Sequence, residues 1–159
     1  MNDLEYARHY NQQTWALMEK ANRSAEEDLL VITYAHTSLA HWLVAGSQVE
    51  KTRAYWLVSR ASCLVEDKRN ALLYARLCDQ FSQEHAELMK DFDMAYAAEA
   101  LARALALNGE MDQAQDLLAK AEMLGNLIAN EEDRALFQKD LVDGNWFGLV
   151  KPRYKFCHG

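Results

Sequence analysis

The stretch MAYAAEALARALALNGEMDQAQDLLAKA, residues 94–121, decides the fold that the sequence predicts. Apolar residues recur in it at three- and four-residue spacing, which places them on one face of a helix. They are Met94, Ala98, Leu101 and Leu105. Asn108-Gly109 then ends this helix, because glycine readily adopts the left-handed backbone that stops a helix. Helical periodicity resumes at Met111, so the stretch predicts two antiparallel helices joined by a short turn.

Helical periodicity of the same kind extends over almost the whole chain, with short polar or glycine-containing joints between the periodic segments. We predict seven helices, at about residues 3–20, 24–45, 48–65, 68–88, 92–107, 111–124 and 130–142. Ser24 followed by Glu27 is a capping-box pattern, and Ser47 and Asp67 are suitable caps for the next two helices. The expected fold is therefore all-α, with antiparallel helical hairpins packed side by side.

The composition supports an all-α protein and excludes several other classes. The 159 residues fit one domain, and one proline with six glycines leaves little material for the turns of a β-sandwich or barrel. The net charge of −7 without a basic stripe disfavours nucleic acid and anionic membranes as partners. No apolar run approaches the roughly 18 residues of a membrane span, and the N-terminus lacks the layout of a signal peptide. We expect a cytoplasmic protein.

Cysteine, histidine and nucleophilic residues, which form metal or catalytic sites in many proteins, form no recognisable site pattern in this sequence. The cysteines Cys63, Cys78 and Cys157 include no CxxC pair, so we expect neither a disulfide framework nor structural zinc, and we place Cys63 and Cys78 in the core. His36 and His41 lie about 140° apart around a helix and cannot chelate one metal together. Motifs of nucleophile elbows and nucleotide-binding loops are absent. We predict no catalytic residues, metal or cofactor, and no enzyme activity.

Two parts of the chain share one pattern. Residues 52–78 and 95–121 align at an offset of 43 residues, each with an apolar helix, a turn containing an acidic residue and a second helix bearing small residues. In the second copy, small residues and the turn stand where the tetratricopeptide repeat has them, so the segment resembles that family. The residues that carry this resemblance are Ala102, Asn108-Gly109-Glu110, Ala114 and Ala121. The first copy matches more loosely, with Glu66-Asp67 at its turn.

The resemblance implies a short right-handed solenoid of stacked hairpins, forming a single domain of residues 1–143 similar to bacterial single-domain proteins of this repeat class. The offset of 43 residues exceeds the ordinary repeat of about 34, and a longer helix ending near Leu88 accounts for the excess. In the repeat family, the first helix of each hairpin lines a concave groove that holds the ligand. Carried over to this chain, the groove residues are Arg53, Trp56 and Arg60 on one helix and Tyr96, Glu99 and Arg103 on another.

Each of these triplets has a spacing of three and then four residues, so its members share one helix face whatever the family. Guanidinium, indole, phenol and carboxylate groups suit binding to a peptide or a partner protein. We therefore predict an interaction module with a protein or peptide partner. Two alternatives stay open. In the first, the two stripes face solvent and bind nothing, with Arg103 and Glu99 as an ordinary surface pair. In the second, the same residues bind a small anionic ligand in a sensor or an enzyme.

Residues 144–159 form a tail that follows the last predicted helix and combines aromatic with basic residues. Leaving its aromatic side chains in water would expose a large apolar surface. They are Trp146, Phe147, Tyr154 and Phe156. The stretch 110–143 carries nine acidic and three basic residues, so it attracts the bases at 151–155. We expect the tail to pack on the end of its own chain or on a second subunit, which would give a homodimer.

Overall fold

A computed structural model describes residues 1–150, and this part of the chain forms seven α-helices. They are α1 Asp3–Met18, α2 Ala25–Ala45, α3 Gln48–Leu64, α4 Lys68–Glu84, α5 Asp91–Leu107, α6 Met111–Asn126 and α7 Glu131–Val142, with a 3-10 turn at Ala86–Leu88. Successive helices pack as antiparallel pairs, α1 with α2, α3 with α4 and α5 with α6, and α7 packs on α5 and α6. The all-α class and the number of helices are confirmed for these residues. No helix among them has the length and apolar character needed to cross a membrane.

Local capping signals fix where several helices begin. The Ser24 hydroxyl accepts a hydrogen bond from the Glu27 N–H at 3.1 Å, and the Glu27 carboxylate accepts one from the Ser24 N–H, which completes the predicted capping box. Ser47 starts α3 in the same way, and Asp67 caps α4 through the N–H of Asn70. Each cap satisfies an N–H group that has no partner within the helix and typically contributes about 1 kcal/mol.

Two boundaries differ from the sequence prediction. The α-helix α4 ends at Glu84, one turn earlier than expected, and the 3-10 turn follows it. Helix α6 continues through Gly125, where the sequence predicted a joint. A Cβ atom on Gly125 would lie 2.3 Å from Cε1 of Phe137. Phe137 belongs to α7, and its side chain is fully buried. Gly125 therefore marks the close contact between α6 and α7 rather than the end of a helix.

The turns after α3 and α5 have the same backbone hydrogen bonds at the predicted offset of 43 residues. In both turns, the N–H of the acidic residue, Asp67 or Glu110, bonds to the carbonyl five residues earlier at 2.9 Å. The preceding residue has left-handed backbone in both, with a φ of 56° at Glu66 and 81° at Gly109. The internal correspondence of the two hairpins is thus confirmed at their turns, although the first places a glutamate where the second has glycine.

We expect Glu66→Gly to raise the free energy of unfolding by about 1 kcal/mol, because left-handed backbone strains every residue except glycine. The matched change Gly109→Ala should lower it by about 1 kcal/mol. No atom lies within 4 Å of the Cβ that this alanine would add, so strain in the backbone is its main cost. Urea unfolding followed by circular dichroism measures both changes. The opposite sign at either position would show that the two turns are not equivalent.

Helix α5 lies at the centre of the fold. Thirteen of its seventeen residues are buried, and it contacts α3, α4, α6 and α7. Most of the buried positions are alanine or leucine, so the helix has almost no face left for solvent. Cys63 and Cys78 lie in the surrounding core, as predicted, and burial raises the pKa of the Cys63 thiol to about 12. Any polar side chain on the middle of α5 therefore projects into the protein.

Candidate functional site

A cavity of about 1030 Å³ lies among α1, α3, α5 and α7. Its volume is at the upper end of the range of about 300–1,000 Å³ that is usual for small-molecule sites. Much of its lining is aromatic or aliphatic. These residues are Trp15, Met18, Trp56, Leu57, Leu64, Phe92, Tyr96 and Leu136. Apart from Cys78 of α4, the lining belongs to helices that alternate along the chain, and they include the two helices on which the sequence placed the binding residues.

Four of the six predicted site residues line this cavity, and two lie behind its wall. The four are Arg53, Trp56, Arg60 and Tyr96. Glu99 and Arg103 are only 0% and 1% exposed, and their ion pair of 2.8 Å is buried. The alternative of a solvated helix face is therefore wrong for Glu99 and Arg103. The physical reason is the central place of α5, where neighbouring helices cover the middle of the helix from several sides.

The Glu99 carboxylate connects three of the other predicted residues. Its Oε1 accepts a hydrogen bond from Nε1 of Trp56 at 2.9 Å. Its Oε2 accepts one from Arg60 at 3.2 Å and another from Nε of Arg103 at 2.8 Å. Two guanidinium groups thus share one carboxylate in the interior, where charge-assisted hydrogen bonds are strong and an unpaired charge is costly. The cluster joins the two predicted stripes face to face and fixes α3 against α5.

The two guanidinium groups also bind the carboxyl end of α7. Arg103 donates to four main-chain carbonyls within residues 140–145, at 2.9 to 3.5 Å, and Arg60 donates to the carbonyls of Asp140 and Asp143 at 3.4 and 3.2 Å. Carbonyls at the end of a helix lack partners within it and carry partial negative charge, which favours cations there. Gly144 allows the close approach, because a Cβ at this residue would lie 3.0 Å from Nη1 of Arg103. Arg60 and Arg103 therefore hold α7 on α3 and α5.

Residues 144–150 pack against the same end of α7. Trp146 is 1% exposed, its indole N–H donates to the carbonyl of Leu141 at 2.9 Å, and its ring lies 4.1 Å from the Arg103 guanidinium. Leu149 is buried as well. The expectation that the tail packs on its own chain is confirmed for these residues. Tyr154, Phe156 and the bases at 151–155 lie outside the described residues.

Two further contacts shape the cavity wall. The Tyr96 hydroxyl donates to Oδ2 of Asp140 at 2.6 Å and links α5 to α7. Burial, and then this hydrogen bond, raise the pKa of Tyr96, so the phenol keeps its proton as a donor. Arg53 makes two hydrogen bonds to Asp93, at 2.9 and 3.1 Å, and lies over the ring of Phe92. The arginines that line the cavity thus bind carboxylates of the chain itself.

Sequence reasoning missed most other residues of this site, and Trp15, Asp93 and Asp140 show why. Trp15 stacks on Trp56 with ring centroids 5.7 Å apart. The sequence contained a signal for Trp15. Helix α1 is the first helix of the first hairpin, and the groove residues of the second hairpin were placed on its first helix, α3. Asp93 lies in the first turn of α5, where an acid also favours the helix dipole, so its bond to Arg53 has no separate signature in the sequence. Asp140 is 44 residues from Tyr96, and no local pattern connects the two.

His36 and His41 face different neighbours, as their separation around α2 predicts. Nδ1 of His41 lies 2.7 Å from a carboxylate oxygen of Asp3 on α1. His36 lies beside the ring of Tyr74 on α4, and burial lowers its pKa. Each histidine therefore makes its own contact between helices.

No family model, curated protein or solved structure matches this chain. Residues 1–150 form an all-α structure of seven helices packed in sequential pairs. The cavity and the side chains that line it are therefore the basis on which a function can be proposed.

Proposed function

We propose that this chain is an interaction module that binds a segment of a partner protein in the cavity among α1, α3, α5 and α7. One observation carries the proposal. Large apolar side chains from different helices face one cavity, and part of their surface stays exposed to water. Leu136 is 55% exposed, and Trp15 is half-buried. Aromatic and arginine side chains at such places supply much of the binding energy of protein interfaces. The cavity volume suits several side chains of a bound segment.

The architecture that we propose is a short right-handed solenoid similar to the tetratricopeptide repeat, with the cavity on its concave side. Two observations support it. All lining residues except Cys78 of α4 lie on or at the ends of the alternate helices α1, α3, α5 and α7, which is the arrangement expected when the first helices of stacked hairpins face inward. The turns after α3 and α5 repeat the same backbone hydrogen bonds at an offset of 43 residues. In this proposal the side chains of the cavity bind a partner, and none has a catalytic role.

A small anionic ligand fits the same cavity less well. Arg60 already donates to Glu99 and to the end of α7, and Arg53 donates to Asp93. An anion would have to compete with these bonds. Charged residues of both signs line the cavity. The acids are Glu19, Asp93, Asp140 and Asp143, and the bases are Arg53, Arg60 and Lys139. We therefore favour a partner segment as the ligand.

We expect Leu136→Asn to weaken the capture of partner segments about tenfold, because the bound segment would lose an apolar contact and bury an unpaired amide. The matched control is Leu127→Asn, which changes a leucine that is 69% exposed and does not line the cavity. An array of random 15-residue peptides, probed with wild type and both variants, identifies captured sequences. Fluorescence anisotropy then gives the Kd of each captured peptide.

Circular dichroism first establishes that both variants keep their helix content. Equal weakening by Leu127→Asn would indicate a general effect of the added polar group rather than a site. Equal capture by all three proteins, or no capture by wild type, would show that the cavity does not bind partner segments.

A further inference from the structure

We infer that the partner segment is basic, with lysine or arginine residues next to an apolar anchor. This inference rests on the proposed function and adds the chemistry of the partner. It follows from the balance of charge around the cavity. Each of the three cations in the lining is paired with a carboxylate of the chain, whereas two lining carboxylates, those of Glu19 and Asp140, have no cation within 4 Å among residues 1–150.

Every cation in the lining lies within 4 Å of a carboxylate of the chain itself. Arg53 binds Asp93 through two of its N–H groups, and Arg60 binds Glu99 at 3.2 Å. Nζ of Lys139 lies 3.7 Å from Asp143. A second acid from a ligand would have to share or displace these partners. The cavity is therefore poorly matched to an acidic segment.

The carboxylates on α1 and α7 have acceptor sites to spare. Glu19, at the end of α1, is exposed and makes no ion pair with any residue of the described part of the chain. Asp140 accepts one hydrogen bond from Tyr96, through Oδ2, and the other oxygen has no donor among residues 1–150. Asp143 is 54% exposed and pairs at 3.7 Å with the exposed Lys139, so a ligand can share this carboxylate. A carboxylate offers about four acceptor sites, so each of these three groups can accept bonds from a ligand.

Aromatic side chains lie within the same cavity. The rings of Trp15 and Trp56 stack at 5.7 Å, and Tyr96 meets Trp56 edge-on at 5.3 Å. Lysine and arginine have long aliphatic stems that pack on such rings and cationic heads that aromatic faces attract. A basic side chain thus matches the apolar wall and the free carboxylates together. Acceptors on both α1 and α7 favour a segment with at least two basic residues.

The test uses three fluorescein-labelled peptides, KVTFKVTK, QVTFQVTQ and EVTFEVTE, which differ only in the charge at three positions. Fluorescence anisotropy with the full chain at low salt gives the Kd of each. We expect the basic peptide to bind about tenfold more tightly than the acidic one, with the neutral peptide between them. Added salt should narrow this difference.

Two double variants locate the source of the preference. Glu19→Gln with Asp143→Asn should weaken the basic peptide about fivefold and leave the neutral peptide unchanged. Asp112→Asn with Asp116→Asn removes the same charge from exposed positions of α6 outside the cavity and should change every Kd less than about twofold. This control separates a local effect from the attraction of an acidic chain for any basic peptide.

The outcomes distinguish this inference from the function on which it rests. Equal affinity for the three peptides, with Leu136→Asn still weakening them all, would overturn the basic preference and retain the binding site. Tighter binding of the acidic peptide would also overturn the preference. An equal loss in both double variants would assign the preference to general surface charge. No binding of any peptide at 1 mM would contradict both the preference and the proposed function.

Discussion

Glu99→Ala is expected to lower the free energy of unfolding by about 3–5 kcal/mol, because it leaves two buried guanidinium groups without their shared carboxylate. Arg103 is 1% exposed, so water cannot replace its lost partner, and the Arg60 side chain, which lines the cavity, is only 10% exposed. The indole N–H of Trp56 loses its acceptor as well. Urea unfolding at neutral pH measures this loss of free energy. The slope of the free energy against urea concentration should stay the same as in wild type.

Two controls define what the loss means. Glu99→Gln keeps an acceptor for Trp56 but removes the negative charge, so its effect should be smaller than that of alanine. Lys139→Ala breaks the ion pair between Lys139 and Asp143. This pair has the same spacing of four residues as Glu99 and Arg103, but it lies at the surface. Such pairs typically contribute about 0–1 kcal/mol. A loss below about 1 kcal/mol for Glu99→Ala would show that the Glu99 cluster behaves like a surface pair.

Trp146→Ala is expected to cost about 3–5 kcal/mol, the usual range when a buried tryptophan is truncated to alanine. The indole is 1% exposed and packs against Arg103, so its removal opens a void and uncovers that guanidinium. The carbonyl of Leu141 also loses a donor. Differential scanning calorimetry should therefore show a Tm lower by several degrees.

The matched controls for Trp146 are a conservative change and an exposed neighbour. Trp146→Phe keeps most of the buried ring but lacks the N–H, so we expect a loss of about 1–2 kcal/mol. Val150→Ala changes a side chain that is 71% exposed and should have an effect within about 0.5 kcal/mol. If Trp146→Ala had as small an effect as Val150→Ala, residues 144–150 would not contribute to the stability of the fold.

The starts of the helices were predictable because their signals are local. Ser24, Ser47 and Asp67 cap helices through bonds to residues three positions later, and a sequence displays such spacing directly. Gly125 shows the limit of this approach. A glycine near the end of a periodic segment indicates a turn, but here it provides space for Phe137 on another helix. Packing between α6 and α7 has no local signature.

The six predicted site residues come together because their stripes occupy equivalent positions in the two hairpins. Trp56 and Glu99 are 43 residues apart, as are Arg60 and Arg103, and the two stripes contact each other across α3 and α5. Periodicity alone did not predict that Glu99 and Arg103 are buried. The signal was the alanine-rich sequence around both residues, which leaves α5 without a polar face. The bonds to the end of α7 join residues far apart in the chain and were beyond local reasoning.

The dependence of Arg60 and Arg103 on the carbonyls of residues 140–145 has a consequence for the order of folding. Until α7 has been made and has docked, the chain holds two guanidinium groups with only part of their acceptors. A product that terminates before residue 140 keeps this defect permanently and also lacks Trp146 and one wall of the cavity. Its lower stability would expose it to proteases, which act on the unfolded fraction. The last turn of α7 thus completes the hydrogen bonding of two guanidinium groups that belong to helices made much earlier in the chain.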